Sequence, residues 1–304
     1  MLQHTAPTSI LIPVYNGMPY LEEAINSVLQ QTQSNWNLII ADNCSNDGTS
    51  EYLSSLNDNR ISIHKHSKNI GAAKNWEYLY KECSSKYACI LGADDIMKPT
   101  FIERSELLIS ESEDIAFVHS ASDLIDGNGT LTGNYSQNLQ PLTSKKDFIY
   151  QQWICNQVNV TTCLFSIQKA KELGVKFDSK KILLFDWALW FDIHTQFKYS
   201  IYINEPLCQY RQHANNTTAR THDGPAWTLD RALIVLERLL TISTEFQPEN
   251  IRNIGNRILL QAIKKSILER DLKITRQGLA ALILYNSPRE FLSLFVYLLR
   301  QTPF

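Results

Sequence analysis

Apolar and polar positions alternate along the first 120 residues in two distinct rhythms. Short, largely apolar runs at 9–14, 36–41, 60–65, 87–91 and 115–120 read as strands of a sheet covered on both faces. Between them, apolar residues recur every three or four positions. The first such stretch, from about 18 to 32, sets Leu21, Ile25, Val28 and Leu29 on one helical face, with Glu22 and Glu23 at its positive N-terminal end. Further helices are expected near 48–56, 72–84 and 99–112. This βαβαβαβ order predicts an α/β fold: a Rossmann-like, mainly parallel, right-handed sheet flanked by helices. Asp126-Gly-Asn-Gly129 marks a hairpin tip.

After about residue 140 the alternation weakens. The pattern there predicts a helix at 144–153, a strand at 160–166, a helix at 186–197 and two strands at 199–203 and 207–212. From 226 onward the period is helical, with Leu229, Leu233, Leu236 and Leu240, followed by 251–268. The expected division is an α/β domain over 1–220, with halves 1–120 and 121–220, and a helical C-terminal region over 221–304.

Composition narrows the function classes. With 44% apolar and 20% charged residues in 304, the chain is an ordinary globular protein. A net charge of −2 gives no electrostatic reason to expect a nucleic-acid partner. The six cysteines (44, 83, 89, 155, 163 and 208) form no close pairs, so reduced, buried thiols are expected. The N-terminal Met-Leu-Gln-His-Thr-Ala-Pro lacks the marks of a signal peptide, which makes the cytoplasm the default compartment. The sequons at Asn128, Asn134 and Asn215 then carry little meaning.

No run reaches the roughly 18–20 apolar residues needed to cross a bilayer. Leu279–Tyr285 and Phe291–Leu299 are each too short, and Asn286-Ser-Pro-Arg289 separates them. They read as terminal helices docked on the core or on another subunit. The sharper alternative is a peripheral anchor at the inner face of the cell membrane, flanked by Arg289 and Arg300.

Four segments place polar groups just after an expected strand: Ser9-Ile-Leu-Ile-Pro-Val-Tyr-Asn16, Asp42-Asn-Cys-Ser-Asn-Asp-Gly-Thr49, Asn69-Ile-Gly-Ala-Ala-Lys-Asn75 and Leu91-Gly-Ala-Asp-Asp95. The carboxyl ends of parallel strands line one crevice where ligands bind. Asp42 is placed to accept from a base imide or a ribose hydroxyl. Asp47, Gly48 and Thr49 are better explained as the cap of the next helix. Gly71 allows close backbone approach, and Lys74 offers a point charge to a phosphate. Asp94 and Asp95 are adjacent carboxylates that read either as one helix cap and one solvated residue or, preferred beside Asp42 and the amide loops, as a pair neutralised by a divalent metal on a diphosphate. Together these groups suit a nucleotide sugar.

In their order, the segments resemble an inverting glycosyltransferase of family 2, with the GT-A fold, over roughly residues 8–215. The resemblance implies that Pro13, Tyr15, Asn16 and the Asp42–Thr49 segment bind the nucleotide, with Asn69, Gly71 and Lys74 beside them. It also implies that Asp94 and Asp95 form the D-x-D-type motif that holds Mg2+ or Mn2+. Phe185-Asp186-Trp-Ala-Leu-Trp190 resembles the family's E-D-x-x-L-W, whose Asp is the catalytic base. Tyr210-Arg211-Gln-His213 resembles the late Y-R-x-H strand, where His213 reaches the metal or diphosphate. Three positions depart from the pattern: Gly92 for the first acid, Phe185 for Glu, and Lys74 for Arg.

The implied reaction moves one sugar from a nucleoside diphosphate donor, UDP foremost, to a hydroxyl of a glycan or lipid-linked glycan, in cell-surface polysaccharide or lipid-linked glycan assembly. Asp186 would be general base; the metal, with Lys74 or Arg211, would stabilise the departing diphosphate. Trp153, Trp187 and Trp190 are candidates to stack on sugars, with core packing preferred for Trp190. A non-catalytic binding or scaffold protein on the same fold is the alternative. A nucleotidyltransferase ranks lower, because Pro13–Pro19 contains no basic phosphate loop.

Overall fold

The computed structural model describes residues 8–153, 156–214, 216, 221–222, 224–242 and 250–301, with backbone alone at 300 and 301. Cys155, the sequon at Asn215, the Arg300 side chain and the first seven residues lie outside the described set. Two compact units are present: Met1–Ser179 with Leu189–His213, and Lys180–Ala188 with Ala214–Phe304.

In the first unit, β1 (Thr8–Val14), α1 (Leu21–Leu29), β2 (Trp36–Asp42), α2 (Thr49–Ser55), β3 (Ile61–Lys65), α3 (Ala72–Glu82) and β4 (Tyr87–Ile90) follow the expected alternation. β5 (Ile96–Met97), α4 (Phe101–Ile109), β6 (Ile115–Ile125), β7 (Leu131–Tyr135), β8 (Leu142–Ser144), α5 (Lys145–Gln152), β9 (Cys163–Phe165), α6 (Ile167–Glu172), α7 (Phe185–Gln196) and β10 (Tyr199–Arg211) complete it, the first residues of α7 being grouped with the second unit. The ten-stranded sheet has the order β3-β2-β1-β4-β9-β6-β10-β5, with β7 on β6 and β8 on β10. β3, β2, β1, β4, β6 and β10 all run the same way; β9, antiparallel to both β4 and β6, joins the two parallel groups. The sheet is mainly parallel, as its apolar runs predict.

Burial explains the strand sequences. Ile10, Ile12 and Val14 of β1 and Leu38 and Ile40 of β2 share a core with Leu21, Ile25 and Val28 of α1 and with Phe101 and Ile102 of α4. Elsewhere in the unit Trp190 is fully buried, edge-on to Phe165 and Phe117 at 5.3 and 6.0 Å. Trp153 and Trp187 are as deeply buried, so none of the three tryptophans offers a face for sugar stacking. Among the described cysteines none is paired; four are buried and Cys44 is half-buried.

Three expectations need correction. α1 begins at Leu21, after a loop in which the N–H groups of Asn16, Gly17 and Met18 donate to Ser45, Thr49 and Asp47. The segment 160–166 opens with a 3-10 turn, Val160–Thr162, before the short strand β9. The two strands at 199–203 and 207–212 are one strand, β10, which absorbs Pro206 through register shifts on either side of it. Proline has no N–H for a ladder, and a bulge removes the need for one.

The second unit adds α8 (Pro225–Arg238), α9 (Ile251–Leu268), α10 (Leu272–Leu284) and α11 (Pro288–Gln301). Leu229, Leu236, Leu259, Ile263, Leu282 and Leu298 share its core. A Cβ on Gly278 would lie 2.6 Å from Ile263, so glycine sets how closely α9 and α10 approach. No described helix is long and apolar enough to cross a membrane.

Candidate active site

β1, β2, β3 and β4 all end on the same side, so the loops 15–20, 43–48, 66–71 and 91–95 emerge together. Short polar side chains stitch the first three into one rim. Asn16, at φ 53°, donates its N–H to Ser45 Oγ at 2.8 Å and accepts from Asn46 N–H at 3.0 Å. Gly17 N–H donates to Thr49 Oγ1 at 2.9 Å and Met18 N–H to Asp47 at 3.0 Å. Asn43, buried, joins the next loop: its amide donates to Asn69 Oδ1 at 3.0 Å, and its Oδ1 accepts from Ile70 N–H at 2.8 Å. Asn69 Oδ1 also accepts from Gly71 N–H at 2.9 Å.

Asp42 is fully buried within this rim. Its Oδ1 accepts from Ser45 N–H at 2.9 Å and its Oδ2 from the Ser50 hydroxyl at 2.5 Å. Its place at the strand end also puts it within reach of its own turn and of the first turn of α2, so both oxygens help to shape the loop. Pro13 is half-buried at the end of β1, whereas Tyr15 is 50% exposed at the rim. Gly71 has φ 87°, and nothing stands within 4 Å of where its Cβ would be. Lys74 is exposed in the first turn of α3, where a cation opposes the helix dipole.

The adjacent carboxylates have different surroundings. Asp95 is 2% exposed; its Oδ1 accepts from Arg211 N–H at 2.9 Å and its Oδ2 accepts from the Thr161 hydroxyl. Burial, with the Asp94 charge beside it, raises the Asp95 pKa. Asp94 is partly exposed, and its Oδ2 lies 3.0 Å from His213 Nε2. Gly92 is required here: a Cβ would come within 2.6 Å of Asp95 Oδ2 and 3.1 Å of Asp94 Oδ1.

Arg211 is almost wholly buried. Its Nε donates to the Asp94 carbonyl at 2.8 Å, Nη1 to the Asp126 carbonyl at 3.3 Å and Nη2 to Glu23, while the guanidinium sits 4.7 Å above the Tyr20 ring. That ring also lies 4.9 Å from His213. Arg211 therefore holds the acidic loop against α1 and the 126–129 turn. Thr161, Asn43, Tyr20 and Glu23 escape the sequence reading. Asn43, next to Asp42, carries a legible signal as the first polar residue past a buried strand; Thr161 carries none, being a threonine inside an apolar run.

Asp186 lies in the first turn of α7, half-exposed. The segment leading into it is anchored within the second unit by α8. Asp230 Oδ2 accepts from the N–H groups of Ile182, Leu183 and Leu184 at 2.7, 2.6 and 3.0 Å. Lys181, buried, pairs with Glu237 at 2.7 Å, and Arg238 donates to the Ala188 carbonyl at 3.1 Å.

Residues 9–171 match the family model of glycosyl transferase family 2. A Bacillus subtilis (strain 168) protein provisionally assigned as the teichuronic acid biosynthesis glycosyltransferase TuaG is 30% identical over 138 residues, 44% of this chain and 54% of its own length. An uncharacterised glycosyltransferase of Haemophilus influenzae is 26% identical over 220 residues, 69% of this chain and 67% of that one. Among solved structures, Staphylococcus aureus TarS 1-349 in complex with UDP-GlcNAc aligns with a TM-score of 0.61 at 14% identity, over 90% of this chain and 79% of that one. The mannosyltransferase PcManGT of Pyrobaculum calidifontis, in complex with GDP-Man and Mn2+, aligns with a TM-score of 0.55 at 14% identity, over 96% and 85%. The family model spans more than half of the chain, which therefore belongs to glycosyl transferase family 2 and is built on the GT-A fold.

Proposed function

We propose that this chain moves a single sugar from a nucleoside diphosphate sugar to an acceptor hydroxyl, with inversion at the anomeric carbon, in the assembly of a cell-surface or lipid-linked glycan. One observation carries the donor side: three loops tied to one another at the carboxyl ends of parallel strands, with a partly exposed carboxylate–imidazole pair beside them. The rim leaves Tyr15, the Gly71 backbone and Lys74 turned outward, and a phosphate would relieve the conflict between Lys74 and the α3 dipole. The chemistry named for TuaG and the UDP-GlcNAc bound to TarS make UDP the first donor nucleotide to test and a glycan the first acceptor class.

A divalent ion fits the donor set. Asp94 Oδ2 and His213 Nε2 are a hard oxygen and an imidazole nitrogen 3.0 Å apart, the spacing of neighbouring ligands at bonds of roughly 2.1 Å. Among the described residues no group of three or more His, Cys, Asp or Glu forms a site, so diphosphate oxygens and water would complete the shell. Bound there, Mg2+ or Mn2+ supplies Lewis-acid stabilisation of the leaving diphosphate. Asp95, engaged by Thr161 and Arg211, holds the loop that presents Asp94. Asp186 accepts the proton of the attacking hydroxyl. No second carboxylic acid is needed, since a diphosphate leaves as an anion without protonation.

The test is thermal-shift titration with UDP, dTDP and GDP, each with and without Mn2+, on the wild-type chain and on Asp94→Ala. At ~100 times the dissociation constant, a ligand of the folded state stabilises by about 2.7 kcal/mol. A Mn2+-dependent shift with one nucleotide, lost in Asp94→Ala, is the expected result. Absence of any shift with all three nucleotides refutes the donor site.

A further inference from the structure

Charge is unevenly distributed along the chain. Residues 251–304 hold nine Lys or Arg against three Asp or Glu, although the whole chain has a net charge of −2. In this same region aliphatic side chains stand in solvent beside the cations. On α10, Leu272 (69% exposed), Ile283 and Leu284 (72%) share the outer face with Lys273 and Arg276, both exposed. On α11, Leu292, Val296 and Leu299 recur at i, i+4 and i+7 as an exposed stripe that begins beside exposed Arg289. Their opposite faces are satisfied: Ile274, Ala281 and Leu282 of α10 and Leu298 of α11 lie in the core of the second unit. The exposed residues are therefore not needed to hold the helices in place.

Single exposed leucines are ordinary on a protein surface, but rows of them flanked mainly by basic residues, with Glu269 and Glu290 as the exposed acids nearby, are not. Apolar residues that enter an acyl boundary, with basic residues at headgroup level, are the pattern of a helix lying in a membrane interface. The helices are too short and too charged to cross. We infer that the outer faces of α10 and α11 dock this protein on an anionic phospholipid surface. Charge selects this occupant: a second copy would set the same basic excess against itself. The inference is independent of the donor-site reading.

The experiment is co-sedimentation of the full chain with phosphatidylcholine vesicles, with and without phosphatidylglycerol, at low and high salt. Binding to the anionic vesicles alone, weakened by salt, is expected. Reversing the charges in Lys273→Glu/Arg276→Glu should lower the partition coefficient by about thirty-fold or more, from roughly 1 kcal/mol per basic residue. Leu284→Gln/Leu292→Gln should also lower it. Because all four side chains are exposed, melting temperature and nucleotide shifts should match those of the wild-type chain. Equal binding to neutral vesicles, wild-type binding by both variants, or a stable dimer that ignores vesicles would each overturn the inference.

Discussion

Replacing Asp95 by alanine removes the acceptor shared by the Arg211 N–H and the Thr161 hydroxyl, both buried. A buried donor left without its partner costs about 1–3 kcal/mol. Two such donors set a gross loss of roughly 2–6 kcal/mol. Part returns, because the raised pKa shows that the protein strains to keep this carboxylate ionised, and a water entering the space would return more. A net loss of about 2–4 kcal/mol is expected. Asp94→Ala removes a partly exposed contact with His213 and should cost about 0–1 kcal/mol. At ~2–4 °C per kcal/mol for a unit of this size, a difference of about 1–4 kcal/mol should set the two melting temperatures roughly 2–16 °C apart, with Asp95→Ala the lower. Differential scanning calorimetry at neutral pH, without nucleotide or metal, measures the gap. Activity should fall in both, so melting separates the scaffold from the ligand. Equal melting temperatures, or Asp94→Ala melting lower, would refute the assignment of Asp95 to the scaffold.

His194 is fully buried, stacked on Phe148 at 4.1 Å, and burial lowers its pKa from 6.5 to about 3. Below pH 6.5 the unfolded chain takes up a proton that the folded chain refuses, so stability falls from there toward pH 3. The difference reaches about 2 kcal/mol at pH 5. Urea titrations at pH 7 and pH 5 should therefore show His194→Phe gaining on the wild type in acid; parallel losses would refute this. Asp230→Ala strips one acceptor from three N–H groups, so amide exchange at Ile182, Leu183 and Leu184 should accelerate at least ten-fold. Asp230→Asn, which keeps a carbonyl oxygen there, should retain most of the protection.

The order of strands and helices through β4, and α4 after it, was legible because it depends on local periodicity: a run buried on both faces is apolar throughout, and a helix on its surface is apolar on one side. The two-residue β5 between them is too short to show a period. The convergence of four polar loops followed from that order, since parallel strands end on one side. What each loop residue does was decided elsewhere. Asp94 and Asp95 are indistinguishable in sequence. The hydroxyl that claims Asp95 comes from 66 residues away and the N–H from 116 residues away. Arg211 turns inward because Glu23, the Asp94 and Asp126 carbonyls and the Tyr20 ring meet around it. Asp42 does so because its own turn supplies the donors. β10 stays one strand because β6 tolerates its register shifts. Periodicity is a property of neighbours along the chain. The state of a buried polar group is set by whichever partners the fold brings to it, and those lie far apart in sequence.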